Sequence, residues 1–332
     1  MFRLLALLLL ALALLACRGE PRPQPITSTA TTMPGDAAVG QTTGTAGAVP
    51  TVRGGIVRLG AFTGALTHDG TERSYRLFVP RAVMAGEMIP LVVGLHGGLG
   101  SGAQFASTTG FEAFAESEGF VAAFPDGVGR TWNGGRCCGQ AARQAIDDVG
   151  FLAALIEKLA DELPIDRERV FMAGHSNGAI MAWRFACERA DLVAAIVPVA
   201  GSLEIPACTA ADGVNLLAIH GDADQNHPIQ GGRGARSIAG VDFTSVATSL
   251  LIWTSGMGCD NYPSAVVTEG ALSTSSFARC RDGVTADSLV IAGADHPWPG
   301  STVLAPQIQG EPSQAIDATL VAWEFFERVS GD

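Results

Sequence analysis

Residues 169–185 read RVFMAGHSNGAIMAWRF. Arg169–Ala173 has the composition of a buried strand, and the stretch from Asn177 to Arg189 that of an apolar helix. Between them stands Gly174-His175-Ser176-Asn177-Gly178. A hydroxyl presented from a tight strand-to-helix turn requires unfavourable backbone angles, and flanking glycines remove the Cβ clashes that such a turn creates. The helix beginning at Asn177 directs backbone N–H groups and its positive dipole end toward the turn. The pattern predicts Ser176 as a nucleophile and the Asn177 N–H as a donor to a developing oxyanion.

The surrounding chain repeats the strand–helix alternation. Strand-type runs occur at Ser74–Val79, Pro90–Leu95, Phe120–Phe124, Ala194–Val199, Asn215–His220 and Ser288–Ala292. Helix-type runs fall at Ala103–Ser117, Asp147–Leu163, Ser245–Met257 and Pro312–Val329. Such alternation predicts an α/β fold with a mostly parallel central sheet and helices on both faces.

A serine nucleophile needs a base, and the base needs a carboxylate to hold its tautomer. In an open α/β sheet of this type the chain order is Ser, acid, His. His296 follows the final strand in a Pro- and Gly-braced loop, ADHPWPG, and is the expected general base. His227, in Asn226-His227-Pro228, reads instead as a solvated or rim residue. Two aspartates, Asp222 and Asp224, compete as the acid in the loop after His220. Asp224 lies farther into the loop and is preferred for reach, with Asp222 as a turn residue. Asp287 and Asp295 are outsiders.

The second oxyanion donor is expected from the loop after Leu95, His96-Gly97-Gly98-Leu99-Gly100-Ser101-Gly102. Gly98 is the first choice and Leu99 the second, because glycines let backbone N–H groups approach a ligand closely. The loop lacks the Lys-Ser/Thr ending of a phosphate loop. His96 reads as a structural hydrogen-bonding residue.

The termini and composition constrain the setting. Arg3 precedes the apolar run Leu4–Leu15, and Ala16-Cys17 ends it, so residues 1–17 read as an export signal with a lipobox-like end. A lipid on Cys17 is the expected membrane contact, and an ordinary signal peptide cleaved nearby is the alternative. Residues 18–51, rich in Thr, Pro, Gly and Ala, read as a flexible tether. Residues 52–332 are enough for one α/β catalytic domain. The net charge of −12 argues against nucleic acid as a partner. Six cysteines follow Cys17, and an even count in an exported chain favours disulfides. Proximity suggests Cys187–Cys208 and Cys259–Cys280, leaving Cys137 and Cys138 to pair as neighbours. No Cys-x-x-Cys pair supports zinc, and no metal or cofactor is expected.

With these motifs assembled, the chain resembles the secreted α/β-hydrolases of the LpqC-type polyhydroxybutyrate depolymerase and feruloyl esterase family (esterase PHB, carbohydrate esterase family 1-like). The matching stretches are LHGGLGSG (95–102), FPDG (124–127), WNGGRCCG (132–139), DDVGFL (147–152), AGHSNGAIMA (173–182), HGDAD (220–224), the Gly231-Gly232 pair, Trp253 with Gly258-Cys259, and HPWPG (296–300). The resemblance implies the triad Ser176, Asp224 and His296, with Gly98 and Asn177 as oxyanion donors. It also implies a serine esterase acting through an acyl-enzyme on polymer-linked or aromatic esters. Two positions depart from the family pattern: His227 stands where an aliphatic residue is usual, and Ala294-Asp295 replaces a glycine pair.

Only 47 residues separate Ser176 from Asp224, too few for a large lid domain. An open cleft suits bulky or polymeric esters. Its expected substrate contacts are Trp132 and Trp298, whose rings could stack on an aryl group, together with Leu99 and His175. Trp183 and Trp253, on helices, read as core. A peptidase or acyltransferase of the same fold, or a surface lipoprotein that binds without turnover, are the rival readings. A monomer is expected.

Overall fold

Val92 and its neighbours Leu91 and Val93 are all fully buried, yet they belong to opposite faces of one strand. The same alternation holds at Val170, Phe171, Met172 and Ala173, which identifies a sheet covered on both sides. A computed structural model describes residues 51–52, 55–208, 211–302 and 309–331. The export segment, Cys17 and nearly all of the tether lie outside the described residues.

After a two-residue pairing of β1 (Thr51–Val52) with β2 (Gly55–Ile56), the chain builds a ten-stranded sheet. Its strands are β3 (Gly60–His68), β4 (Thr71–Val79), β5 (Ile89–Leu95), β6 (Val121–Pro125), β7 (Ile165–His175), β8 (Ala195–Val199), β9 (Asn215–Gly221), β10 (Ala265–Glu269), β11 (Leu272–Phe277) and β12 (Ala286–Ile291). The spatial order is β10-β11-β12-β9-β8-β7-β5-β6-β4-β3. β6, β5, β7, β8, β9 and β12 run parallel, and an antiparallel pair flanks them on each side.

Helices α1 (Gly102–Thr109), α2 (Phe111–Glu118), α3 (Gly139–Arg143), α4 (Asp148–Glu162), α5 (Asn177–Glu188), α6 (Val246–Gly256) and α7 (Ala318–Ser330) complete the fold. Phe151, Leu155, Trp183, Phe185 and Trp253 bring α4, α5 and α6 onto one face. Phe105, Phe111, Trp323, Phe325 and Phe326 bring α1, α2 and α7 onto the other. Trp183 and Trp253 are fully buried and meet edge to face, as expected of core residues.

Four local features differ from the sequence expectation. The run 103–117 is two helices, because Gly110 adopts φ 72° and closes α1. The last helix begins at Ala318, capped by the Asp317 carboxylate, rather than at Pro312. β3 and the β10–β11 hairpin carried too little apolar alternation to be read: β10 is exposed along its whole length and β11 half-buried. β12 is Ala286–Ile291, ending one residue before the expected run.

The three disulfides Cys137–Cys138, Cys187–Cys208 and Cys259–Cys280 pair as expected.

Candidate active site

The turn from β7 into α5 places Ser176 at φ 55°, ψ −118°, a region costly for a residue with a Cβ. Its glycine neighbours have specific steric reasons. A Cβ on Gly174 would lie 2.3 Å from the Gly178 carbonyl oxygen, and one on Gly178 would lie 2.2 Å from that of Leu95. The elbow can close on itself and on β5 only without those carbons.

Three loops at the carboxyl ends of parallel strands meet at this turn. β9 leads into Asp224 and β12 into His296, and these two strands are sheet neighbours. His296 Nε2 lies 2.9 Å from Ser176 Oγ, and His296 Nδ1 lies 2.7 Å from Asp224 Oδ2. Asp224 Oδ1 accepts the backbone N–H groups of Asn226 and His227, each at 2.8 Å. Burial pushes the Asp224 carboxyl up, but the His296 charge and hydrogen bond, with the nearby His220, outweigh it and hold it down at about 2. It is a carboxylate at any pH of interest, fit to accept the Nδ1 proton and leave a lone pair on Nε2.

Asp222 turns its carboxylate elsewhere and accepts the Gly293 N–H at 2.6 Å, bracing one loop against the other. Asp295 binds the backbone N–H of His296 and the Arg236 guanidinium. Asp287 lies on β12 and pairs with Arg328.

The loop after β5 lies against the elbow: a Cβ on Gly97 would come within 3.4 Å of Ser176 Cβ, and one on Gly98 within 3.9 Å of Asn177 Cβ. Among the described residues, neither the Gly98 nor the Asn177 N–H has a protein acceptor. The Leu99 N–H is engaged, donating to the Arg130 carbonyl at 2.8 Å, so the second-choice donor is occupied. Ser176 thus stands beside an imidazole–carboxylate pair, with the Gly97-Gly98 backbone packed close to the elbow.

A cavity of about 390 Å³ opens over Ser176, bordered by Leu99, Phe105, Ile180, His227, Phe243 and Trp298 among others. No grouping of metal-ligand side chains lies in it among the described residues. His68, Asp69 and Asp147 do cluster elsewhere, where Asp147 also caps α4.

The family model of the esterase PHB depolymerases matches residues 73–287. The chain belongs to this family. It is a carboxylic ester hydrolase. A protein designated an esterase, NocK of Nocardia uniformis subsp. tsuyamanensis, is 27% identical over 95% of this chain and 96% of its own length. Feruloyl esterase B of Piromyces equi is 28% identical over 65% of this chain, which spans 41% of that enzyme's length. The solved acetyl xylan esterase from Aspergillus awamori superposes with a TM-score of 0.55 at 16% identity, covering 71% of this chain and 94% of its own. This likeness supports the α/β-hydrolase fold.

The expected contact residues of the esterase divide. Leu99, His175 and Trp298 line the cavity. Trp298 is 2% exposed, with its indole N–H on Thr319 Oγ1 and its ring edge-on to Phe105. His175 donates to the His296 carbonyl at 2.8 Å, and burial together with the His296 charge pulls its pKa down to about 4. Trp132 departs from expectation: it is fully buried and does not border the cavity. Its indole N–H is bound by the His96 carbonyl, and its backbone exchanges two hydrogen bonds with the Asn177 amide at 2.7 and 3.0 Å. Trp132 is a brace for the elbow, reached only because its loop folds inward. His227 borders the cavity as a rim residue would, but it is buried rather than solvated. At 1% exposure its ring stacks on Phe243 and bonds Ser202 Oγ at 2.7 Å, so hydrogen-bonding capacity made burial possible.

Two braces escaped the sequence reading. Arg73 and Asp148, both buried, form an ion pair at 2.7 Å, and Asp148 also accepts the Asn133 N–H beside Trp132. The adjacent acids of DDVGFL were the available signal: Asp147 caps the helix through Gly150, while Asp148 faces inward.

Proposed function

We propose that this esterase is a secreted serine hydrolase that works through an acyl-enzyme on polymer-linked or aromatic esters, of the polyhydroxybutyrate-oligomer or feruloyl-polysaccharide type. The single observation carrying the serine mechanism is the bridging of Ser176 Oγ and Asp224 by one imidazole, at 2.9 and 2.7 Å. In this reading His296 Nε2 takes the Ser176 proton as Oγ bonds to the ester carbonyl carbon. Gly98 and Asn177 N–H groups bear the oxyanion, and the imidazolium returns the proton to the departing alcohol. Water, deprotonated by the same nitrogen, then attacks the acyl carbon, the bond to Ser176 Oγ breaks, and the imidazolium returns the proton to Oγ as the acid leaves.

The cavity supports the substrate class. Leu99 and Ile238, which border it, are 54% and 66% exposed, an apolar mouth suited to a bulky chain. Between Ser176 and Asp224 the described chain is taken up by α5, β8 and β9. Feruloyl and acetylxylan esterases among the relatives favour the polysaccharide-linked variant. Residues 1–17 support export, and three disulfides suit an oxidising compartment. Among the described residues no helix is long and apolar enough to cross a membrane.

The test is Ser176→Ala. It should lower p-nitrophenyl butyrate hydrolysis by about 10⁴-fold or more with melting unchanged or raised. Residual activity above about one percent would overturn the nucleophile. Turnover of methyl ferulate, hydroxybutyrate trimer and an aromatic polyester film then ranks the substrate classes, and failure on all three would overturn the class proposed.

A further inference from the structure

Glu204 is a buried acid, with its side chain fully enclosed. Its Oε1 accepts Ser202 Oγ–H at 2.9 Å and the Thr244 N–H at 2.7 Å, and its Oε2 accepts Arg136 Nη2 at 2.7 Å. Ser202 carries one hydroxyl proton, and Glu204 takes it. Ser202 Oγ can therefore only accept from the third member of the chain, His227 Nε2, at 2.7 Å. That fixes the imidazole with its proton on Nε2 and a lone pair on Nδ1. Burial, then the closeness of the imidazoles of His220 and His296, push the His227 pKa well below its ordinary value, so the ring is neutral. Nδ1 has no protein partner among the described residues, and His227 borders the same cavity as Ser176.

One face of that ring is covered by an apolar side chain. The His227 ring stacks on Phe243 with centroids 3.9 Å apart, and Phe243 packs with Cys138 and Ile180, which also border the cavity. His227 is tied to the reacting centre as well, since its own backbone N–H holds Asp224 Oδ1. We propose that His227 is a specificity-determining residue: a fixed acceptor in an apolar wall, which recognises a hydroxyl donor on the ester substrate. This rests on the cavity being the ester site. A wall of this kind penalises a substrate that leaves the acceptor dry and unpaired, and so selects for a hydroxyl where an all-apolar wall would not.

The experiment compares kcat/KM within matched pairs: methyl 3-hydroxybutyrate against methyl butyrate, methyl 4-hydroxycinnamate against methyl cinnamate, and 2-hydroxyethyl butyrate against propyl butyrate. The three arms place the hydroxyl on an aliphatic acyl group, a phenol or the alcohol. In at least one pair the wild-type protein should prefer the hydroxyl member. His227→Phe, which keeps the stacking on Phe243, should reduce that preference by about tenfold, mainly through KM. Ser202→Ala, which leaves the ring but releases its tautomer, should reduce the same preference. Equal loss on both members of every pair, or unchanged ratios in both variants, would overturn the proposal. Ser176→Ala separates this from the reading beneath it: if that variant stays active the site is misassigned, whereas an inactive one with unchanged His227→Phe ratios defeats only the hydroxyl acceptor.

Discussion

His175 and His296 lie 4.9 Å apart, ring centre to ring centre, and His175 Nε2–H donates to the His296 carbonyl at 2.8 Å. The residue before the proposed nucleophile thus anchors the backbone of the proposed base, joining the first and last elements of the triad by a route separate from the triad itself. Replacing His175 with Leu removes the anchor while keeping an apolar side chain. The expected result is a fall in kcat of about 10- to 100-fold, because small misplacements of a base are costly. KM for a small ester should change little. An unchanged kcat would mean that the His296 loop is held without this bond.

The acid separates cleanly from its neighbour. Asp224→Asn should lower kcat/KM by about 10⁴-fold, since an amide in that position favours the wrong imidazole tautomer. Asp222→Asn should cost no more than a few-fold, because among the described residues the Asp222 carboxylate supports only the Gly293 N–H. A larger loss at Asp222 would reverse the assignment.

The legibility of this site in the sequence follows from where each role is written. Ser176, Gly174 and Gly178 are adjacent in the chain, and their geometry is dictated locally, so a short motif suffices. Asp224 and His296 are separated by 71 residues, and strand alternation with chain order brought them into candidacy. Trp132 and His227 both stand in Gly- and Pro-marked loops, which are ordinarily exposed, yet both are buried. Each is drawn inside by partners invisible to local pattern: the Asn177 amide for Trp132, and the Ser202–Glu204 pair for His227. β10 escaped for the opposite reason, having no buried face to impose a period.

Trp132 offers a direct check of its bracing role. Trp132→Ala removes a fully buried indole and should destabilise the fold by about 3–5 kcal/mol in urea titration. A stable variant with a selective rise in KM for aromatic esters would restore the substrate-contact expectation.

Acid should weaken the fold before it protonates the carboxylates. Burial, the largest cause in each case, lowers the pKa values of His96, His175, His220 and His227, with His175 brought from its ordinary 6.5 to about 4. Unfolded histidines bind protons below about pH 6.5 while the folded ones stay neutral, so the unfolded state holds more protons and stability falls as pH falls. The stabilisation is fully present above pH 6.5 and is lost on descent toward pH 4, with roughly 3 kcal/mol from His175 alone. Asp224 adds little in this window, since the stability from its depressed pKa is lost mainly as pH falls from the ordinary carboxylate value of 3.8 toward about 2. Urea unfolding at pH 7 and pH 4.5 measures the difference, and equal or greater stability at the lower pH would contradict the buried neutral histidines.

Gly178 tests the steric basis of the elbow. A Cβ there would sit 2.2 Å from the Leu95 carbonyl oxygen and 2.7 Å from that of His96, both backbone atoms of β5 and its loop. Neither can swing aside as a side chain tip could, so relief requires α5 to move away from the sheet. That movement would separate the Asn177 N–H from Gly98 and disturb the Asn177 amide bonds to Trp132. Gly178→Ala should therefore lower both stability and kcat. Gly232→Ala, at a φ of 79° but with no atom within 4 Å of the added carbon, should cost only the backbone strain, about 1–2 kcal/mol, and leave kcat intact. If the two variants behaved alike, the close approach of helix to strand would not be what fixes the serine.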